Sequence, residues 1–356
     1  KEFEEGQVIS ASKVRAYLEE EDWETLNTLV PETTYNYLKK RVKNKPYRIL
    51  NNGVKLPAIS CGTYSLNKEK LEDYIVSVSG KGYQLIDISA QYENEKCVGE
   101  CLEKISKLIP QPQLSTKIST SEVLLSFEQF IQERINKLGR KNLDILLLNN
   151  CSSFASKALW TEMEAIYQKG ICKVIGVCNF SIDLLEKLKQ KHEILPMINQ
   201  IEVHPLFQQK ELCNYCRLNN IQVMAYVPLA NMDKRLMENK LLVELAHKYE
   251  KTVPQIILQW DIQHGYIPVL DNDNIVSDVE ISEFNLSLED MKLIDNLDCG
   301  MKTLLKNNFD IESKFRGKDL LSTILYFLQK NLKENLKKIV RKCKKIWKLY
   351  IDPRYY

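Results

Sequence analysis

Short apolar runs alternate with amphipathic stretches along the chain between Ile49 and about Asp298. Such runs are typical of strands that are buried on both faces of a parallel sheet. The predicted strands are 57–65, 83–90, 114–119, 143–150, 172–180, 197–203, 221–229 and 266–271. The stretches between them, such as 71–82, 126–139 and 158–170, have the apolar spacing of amphipathic helices. Eight strand–helix units in about 250 residues predict an α/β fold, a closed (β/α)8 TIM barrel.

A doubly wound open sheet is the alternative arrangement of alternating strands and helices. The absence of a GxGxxG motif after the first predicted strand argues against it as a dinucleotide-binding fold. We therefore predict three regions, a helical N-terminal extension (1–45), the barrel (46–300) and a basic amphipathic helical C-terminal extension (301–356).

The C-terminal extension combines an apolar stripe at helical spacing with strong positive charge. Residues 330–356 contain ten Lys or Arg and two acidic residues, a net charge of +8 against −5 for the rest of the chain. Aromatic residues interleave the charges, so the phosphates and bases of a nucleic acid are the first predicted partner. An anionic membrane surface and a face packed against the barrel are the alternatives. The basic residues proposed for this contact are Lys338, Arg341, Lys342, Lys344, Lys345 and Lys348.

The composition indicates a globular protein, with 44% hydrophobic and 27% charged residues and no apolar run of membrane-spanning length. Several of the ten cysteines lie inside predicted strands, where a free thiol packs as a small apolar side chain. We expect a reducing intracellular compartment, either an organelle such as the mitochondrial matrix or the cytoplasm. Cys213 and Cys216 form a CxxC motif in a helical segment with no second ligand pair nearby, so we predict helix packing and no metal site.

Polar and aromatic residues stand at the carboxyl ends of the predicted strands, where barrels of this kind carry their active sites. In strand order they are Asp87 with Tyr92, Lys117, Asn149, Asn179, Gln200 and Tyr226. The same segments contain, in order, the motifs LNNGVKLPAISCGT, IDISAQYENEKCVGE, LSTKIS, IGVCNFS, INQIEVHP and MAYVPLA. Over about residues 46–298 the chain thereby resembles the aldo-keto reductases, as a divergent member.

The resemblance implies a reaction in which a nicotinamide donates hydride to a carbonyl and a tyrosine donates the proton. Asp87, Tyr92 and Lys117 match the aspartate, tyrosine and lysine of that catalytic set. The fourth member is a histidine that hydrogen-bonds the substrate carbonyl, and Asn149 stands in its place. An amide orients a carbonyl but relays no proton at neutral pH. Losing such a group typically lowers the rate by about 10²–10⁴-fold.

The resemblance also implies a divided coenzyme site. Asn179 and Gln200 match residues that hold the nicotinamide carboxamide, and Tyr226 matches the aromatic ring that stacks on it. The family's phosphate anchor is an IPKS-type turn followed by an arginine, whereas this chain reads IPVLDNDN. Val269 and Leu270 replace the lysine and the serine, Asn274 stands near the arginine position, and Asp271 and Asp273 add negative charge. Each lost charge-assisted hydrogen bond is worth about 1.5–3 kcal/mol, so we expect no cofactor, or NADP or NAD if the protein is active.

Loss of the proton relay and of the phosphate anchor predicts a pseudoenzyme. The first hypothesis is a structural or binding subunit of a larger assembly with other proteins, such as a ribonucleoprotein of an organellar ribosome. The second is an NAD(P)H-dependent oxidoreductase that reduces aldehydes or ketones with Tyr92 as the proton donor. The third is a nucleotide-binding redox sensor, as in the potassium-channel β subunits of the same superfamily.

Overall fold

The computed structural model describes residues 14, 23–35, 47–64, 66, 68–80, 83–89, 92, 94–106, 111–118, 127–149, 153–270 and 284–303. Eight parallel strands, β3 to β10, close into a barrel in which β10 pairs with β3. This confirms the predicted α/β barrel. The predicted nucleic-acid contact, between Lys338 and Lys348, lies outside the described residues and remains a prediction.

The strands are β1 Tyr47–Ile49, β2 Lys55–Pro57, β3 Ser60–Gly62, β4 Leu85–Asp87, β5 Gln113–Ile118, β6 Leu143–Asn149, β7 Cys172–Cys178, β8 Ile198–Glu202, β9 Gln222–Tyr226 and β10 Ile267–Leu270. The helices are α1 Trp23–Leu29, α2 Lys68–Gly80, α3 Glu95–Ile105, α4 Phe127–Lys137, α5 Ser153–Gln168, α6 Ile182–Lys189, α7 Lys210–Leu218, α8 Lys234–Met237, α9 Lys240–Tyr249, α10 Val253–Gln263 and α11 Leu288–Asp295.

The barrel strands are mostly buried on both sides. In β6 the four central residues, 145–148, are almost fully buried and continuously apolar, as a strand between the barrel interior and the helices requires. Gly176 in β7 has no room for a side chain, since a Cβ there would lie 2.7 Å from both Leu147 Cδ2 and the Ile198 carbonyl oxygen. The absence of a Cβ at this position therefore lets β6, β7 and β8 pack closely.

An antiparallel hairpin of β1 and β2 covers the N-terminal end of the barrel. The Asn51 side chain donates to the carbonyl of Asn220, just before β9, and Asn52 donates to the carbonyl of Lys173 at the start of β7. Arg48 donates to carbonyls at the C-terminal end of α10 and so satisfies groups that the helix leaves unpaired. The opposite end of the barrel, at which the strands terminate, is the end where barrels of this kind carry their active sites.

The helix α3 lies unusually close to the end of α4. A Cβ on Gly99 would overlap the carbonyl oxygen of Lys137 and the backbone of Leu138. This contact brings the first turn of α3 and the last turn of α4 together behind β5. There α3 contributes Glu95 and α4 contributes Arg134.

The described cysteines are free thiols, and most are buried in the apolar core. Cys213 and Cys216 lie in α7 and pack inward, as helix packing predicted. Among the described residues no group of three or more His, Cys, Asp or Glu side chains is placed to hold a metal ion. No described helix is both long enough and apolar enough to cross a membrane.

Candidate active site

Neighbouring strand ends bring Asp87 and Lys117 together. Asp87 is the last residue of β4 and is in register with Ser115 of β5, two residues before Lys117. The Lys117 ammonium donates to one carboxylate oxygen of Asp87. It also donates to the carbonyl of Ile88 at 3.3 Å. The two side chains are only 12% and 4% exposed, so this is a buried ion pair.

The second carboxylate oxygen of Asp87 is also bonded, because the Gln200 amide donates to it at 3.1 Å from the far side of the barrel. Burial lowers the pKa of Lys117, but the charge of Asp87, with further contributions from Tyr92 and Cys178 when they ionise in alkaline solution, raises it by more, and the resulting pKa is well above that of an ordinary lysine. Lys117 therefore remains positively charged at neutral pH.

Tyr92 lies against this ion pair. Its amide donates to the carbonyl of Ser89 at 3.0 Å, which turns the chain after β4 back over the barrel mouth. The Lys117 ammonium is 5.7 Å from the centre of the Tyr92 ring. The ring of Tyr64 meets the Tyr92 ring edge-on at a centroid distance of 5.3 Å. Tyr64 is 39% exposed. Tyr64 was not predicted as a site residue, although an aromatic residue two positions after the end of β3 was a usable signal.

A second cluster lies across the mouth at the ends of β6, β7 and β9. Asn149, the last residue of β6, is half-buried and in register with Cys178. The next residue, Asn179, has a left-handed backbone with φ of 58° and an exposed side chain. Its Oδ1 accepts a 2.9 Å hydrogen bond from the Tyr226 phenol. The structure thus gathers Asn149, Asn179 and Tyr226 on the rim of the barrel that faces away from the hairpin.

Cys178 was missed as a site residue because its thiol reads as a strand-interior group in the sequence. In the structure its Sγ is 4.0 Å from the amide oxygen of Gln200. Burial raises the pKa of the Cys178 thiol to about 12, with Lys117 opposing the shift and Asp87 adding to it. Cys178 is therefore a neutral neighbour of the ion pair at physiological pH.

The rim after β9 has an unusual backbone. The backbone angle φ lies between 51° and 58° at four residues, Val227, Ala230, Asn231 and Met232. Residues other than glycine, asparagine and aspartate rarely adopt this left-handed conformation. On the neighbouring strand, Val269 and Leu270 end β10 as buried apolar residues. Asp271, Asp273 and Asn274 lie outside the described residues.

The family model for the aldo/keto reductase family matches residues 58–298, which is more than half of the 356 residues. The chain belongs to the aldo/keto reductase family. A second model, for the citrate lyase ligase C-terminal domain, matches residues 1–38.

Curated relatives of this aldo/keto reductase have reductase names. Glyoxal reductase of Bacillus subtilis is 33% identical over 257 residues, covering 70% of this chain and 91% of the relative. Methylglyoxal reductase DkgA of Salmonella typhimurium is 30% identical, covering 71% and 94%. Among solved structures, silkworm (Bombyx mori) aldo-keto reductase AKR2E5 complexed with NADPH has a TM-score of 0.67 and 25% identity, covering 73% of this chain and 90% of that chain.

These relatives show that the first functional hypothesis is wrong. The predicted structural subunit of a ribonucleoprotein has no counterpart among them, whereas the alternative of an NAD(P)H-dependent oxidoreductase agrees with their names. The expectation of no cofactor is likewise unsupported, because similar enzymes are solved with NADPH or NADP. The pseudoenzyme hypothesis depends on the residues that replace the family's histidine and phosphate anchor, whereas the barrel still assembles a polar cluster at its mouth.

The described residues fit the nicotinamide half of such a coenzyme. The exposed Asn179 amide and the half-buried Tyr226 ring are joined at the barrel mouth. The Gln200 amide is buried beside them and directs its nitrogen to Asp87. The amide oxygens of Asn179 and Gln200 are acceptors suited to a carboxamide, and the Tyr226 ring offers a flat apolar face.

Proposed function

We propose that this aldo/keto reductase uses a reduced nicotinamide dinucleotide to convert small aldehydes and ketones to alcohols, with Tyr92 as the proton donor. The observation that carries the proposal is the placement of the Lys117 ammonium between the Asp87 carboxylate and the Tyr92 ring. A fixed positive charge next to a phenol stabilises the phenolate that proton donation leaves behind.

Each side chain has a separate task in this mechanism. Asp87 holds Lys117 through a buried contact, and the Gln200 amide holds Asp87. Tyr92 transfers its proton to the carbonyl oxygen of the substrate as that oxygen gains negative charge. When bound, the nicotinamide supplies the hydride for the carbonyl carbon. Asn179, Gln200 and Tyr226 would hold that ring at the mouth of the barrel.

The site differs from the family pattern at Asn149, which stands where the resemblance implies a histidine. Its amide donates a hydrogen bond to a substrate carbonyl and so favours the developing negative charge on oxygen. It does not exchange a proton, so Tyr92 supplies the proton without help from a second acid–base group. We therefore expect turnover that is slow but dependent on Tyr92.

We infer the substrate class from the names of similar enzymes. Glyoxal reductase and methylglyoxal reductase are similar over about 70% of this chain. Small 2-oxoaldehydes carry an activated carbonyl, which reacts with less acid assistance than a simple ketone does. Such substrates suit a site in which an amide replaces the stronger proton relay.

The test uses the purified chain with NADPH and NADH in turn and methylglyoxal as substrate, with coenzyme oxidation followed at 340 nm. We expect oxidation by the wild type and a fall of about 10²–10⁴-fold in kcat for Tyr92→Phe. Tyr64→Phe is the matched control, because it removes the hydroxyl of the neighbouring ring and keeps the edge contact. A wild-type rate equal to that of Tyr92→Phe would overturn the proposal.

A further inference from the structure

A buried arginine lies directly behind the catalytic lysine. Arg134 is in the last turn of α4 and only 2% exposed. One of its nitrogens, Nη1, donates to the backbone carbonyl of Lys117 at 2.7 Å and to the Thr116 hydroxyl at 3.0 Å. The Phe130 ring covers the guanidinium at 4.7 Å. Arg134 thus holds the backbone of the residue whose side chain carries the ammonium.

The counterion of Arg134 belongs to the segment that carries the proton donor. Glu95 is 3.4 Å from Arg134 Nη1, and its side chain is 6% exposed. Its carboxylate also accepts a 2.8 Å hydrogen bond from Thr116. Glu95 opens α3 three residues after Tyr92. The ion pair therefore joins the start of α3, and with it the Tyr92 segment, to the end of β5.

Stability alone is a weak explanation for this ion pair. Two buried charges lose hydration, and apolar residues of similar size often give a protein of equal or greater stability. The close approach of α3 and α4 at Gly99 already aligns the two helices through backbone packing. The charges instead supply direction, because a guanidinium and a carboxylate fix their partners at defined distances and angles.

We propose that Arg134 is a positioning residue that, through Glu95 and the Lys117 carbonyl, fixes the distance between the Lys117 ammonium and the Tyr92 phenol. This inference rests on the proposed role of Tyr92 as proton donor. Lysine has four rotatable side-chain bonds, so small shifts of its backbone move the ammonium relative to Tyr92. A displacement of about 1 Å in such a pair can lower a rate by about 10²-fold.

The double variant Arg134→Met with Glu95→Gln removes both charges together and so leaves no buried charge uncompensated. Arg134→Lys keeps the charge, but its shorter side chain does not bring the ammonium to the position that Nη1 occupies against the Lys117 carbonyl and Glu95. Arg140→Met is the matched control. Arg140 donates to the Pro112 carbonyl at 3.0 Å, just before the opposite end of the same strand β5.

The first readout is the ionisation of Tyr92 in the protein without coenzyme or substrate. It is followed by NMR on ¹³C-tyrosine-labelled protein, in which Tyr92→Phe identifies the signal. Among the described residues, the charged and titratable groups near Tyr92 and the ion pair include Lys117, Asp87, Cys178, Glu95 and Arg134. We expect Tyr92 to ionise at higher pH in the double variant, at an intermediate pH in Arg134→Lys, and at the wild-type pH in Arg140→Met.

The second readout is steady-state reduction of methylglyoxal as a function of pH. We expect kcat of the double variant to fall by about 10²-fold with unchanged affinity for the coenzyme. Wild-type ionisation of Tyr92 and wild-type kcat in a folded double variant would overturn the inference. If the double variant does not fold, the same result in Arg134→Lys would overturn it. If the wild type oxidises no coenzyme, the proposed function fails, and the NMR titration still decides whether Arg134 positions Lys117.

Discussion

The Asp87 carboxylate is bonded on both of its oxygens, to the Lys117 ammonium on one side and to the Gln200 amide on the other. Three strands, β4, β5 and β8, contribute these groups, so the contact ties adjacent and distant parts of the barrel together. Because the carboxylate is almost fully buried, removal of its charge leaves the lysine without compensation.

Asp87→Asn should lower the free energy of unfolding by roughly 3–5 kcal/mol, the usual effect of leaving one buried charge unpaired. Urea denaturation measures this difference. Asp183→Asn is the control, since Asp183 pairs with Lys187 on the exposed face of α6 and such pairs contribute about 0.3–0.5 kcal/mol. Equal losses in the two variants would show that burial does not strengthen the Asp87 pair.

The same pair predicts a pH dependence with a definite sign. The pKa of Lys117 is raised in the folded protein, mainly because the attraction of Asp87 outweighs the effect of burial. Its contribution to stability is therefore complete below the ordinary lysine pKa of about 10.4 and is lost as the pH rises through the higher folded value. The difference between the wild type and the double variant Lys117→Met with Asp87→Asn, which leaves neither charge unpaired, should thus be constant from neutral pH to about pH 9 and change only in more alkaline solution. A difference that varied around pH 7 would contradict it.

Asn149→His should raise kcat for methylglyoxal by about 10²-fold, because an imidazole at the end of β6 exchanges protons near neutral pH and an amide does not. The measurement is a pH–rate profile, in which the variant should gain a dependence near the histidine pKa. Asn149→Gln keeps the amide and should show no gain. An unchanged rate in Asn149→His would mean that this position does not face the reacting carbonyl.

Much of the site could be predicted because polar residues interrupt apolar strand patterns at defined places. The run 145–148 followed by Asn149 marks a strand end, and Asp87 and Lys117 mark two more. The parallel barrel then brings these ends to one face. What periodicity does not give is the direction of a side chain across the barrel, such as the bond from Gln200 to Asp87, which lie 113 residues apart.

The prediction of a structural subunit was wrong because it depended on single substituted positions. The pseudoenzyme prediction depends on Asn149, Val269 and Leu270, each of which lacks the acid–base group, cation or hydroxyl that the family resemblance implies. The family model and the reductase names of the relatives favour the alternative of an oxidoreductase. Arg134 escaped prediction altogether, since an arginine in an amphipathic helix reads as a solvent-facing charge until the structure places it behind Lys117.

NADPH and NADH should bind this reductase with dissociation constants that differ by no more than about tenfold. A 2′-phosphate gains about 1.5–3 kcal/mol from each charge-assisted hydrogen bond, and Val269 and Leu270 offer none. Titration of protein fluorescence with each coenzyme measures the two constants. Tyr226→Ala is the control and should weaken both coenzymes equally, because its ring lies at the nicotinamide end. A preference above a hundredfold for NADPH would mean that residues beyond β10 supply the missing cations.

Asp261 on α10 is fully buried, and within the described part of the chain neither of its carboxylate oxygens has a hydrogen-bond partner. Burial raises its pKa well above the ordinary value, so the folded state favours the protonated form. The contribution of Asp261 to stability should be complete below about pH 4, the ordinary aspartate value, and should be lost as the pH rises toward the folded pKa.

Asp261→Asn removes this titration. At pH 7 its free energy of unfolding, measured by urea denaturation, should therefore exceed that of the wild type by about 1–3 kcal/mol. This difference in free energy should shrink toward pH 4. Asp295→Asn is the matched control, because Asp295 accepts hydrogen bonds of 2.8 Å from both Trp260 and His264 and should lose stability when its charge is removed. Loss of stability in Asp261→Asn at pH 7 would mean that the carboxylate has a compensating partner in solution, and the account of an unpaired buried acid would be wrong.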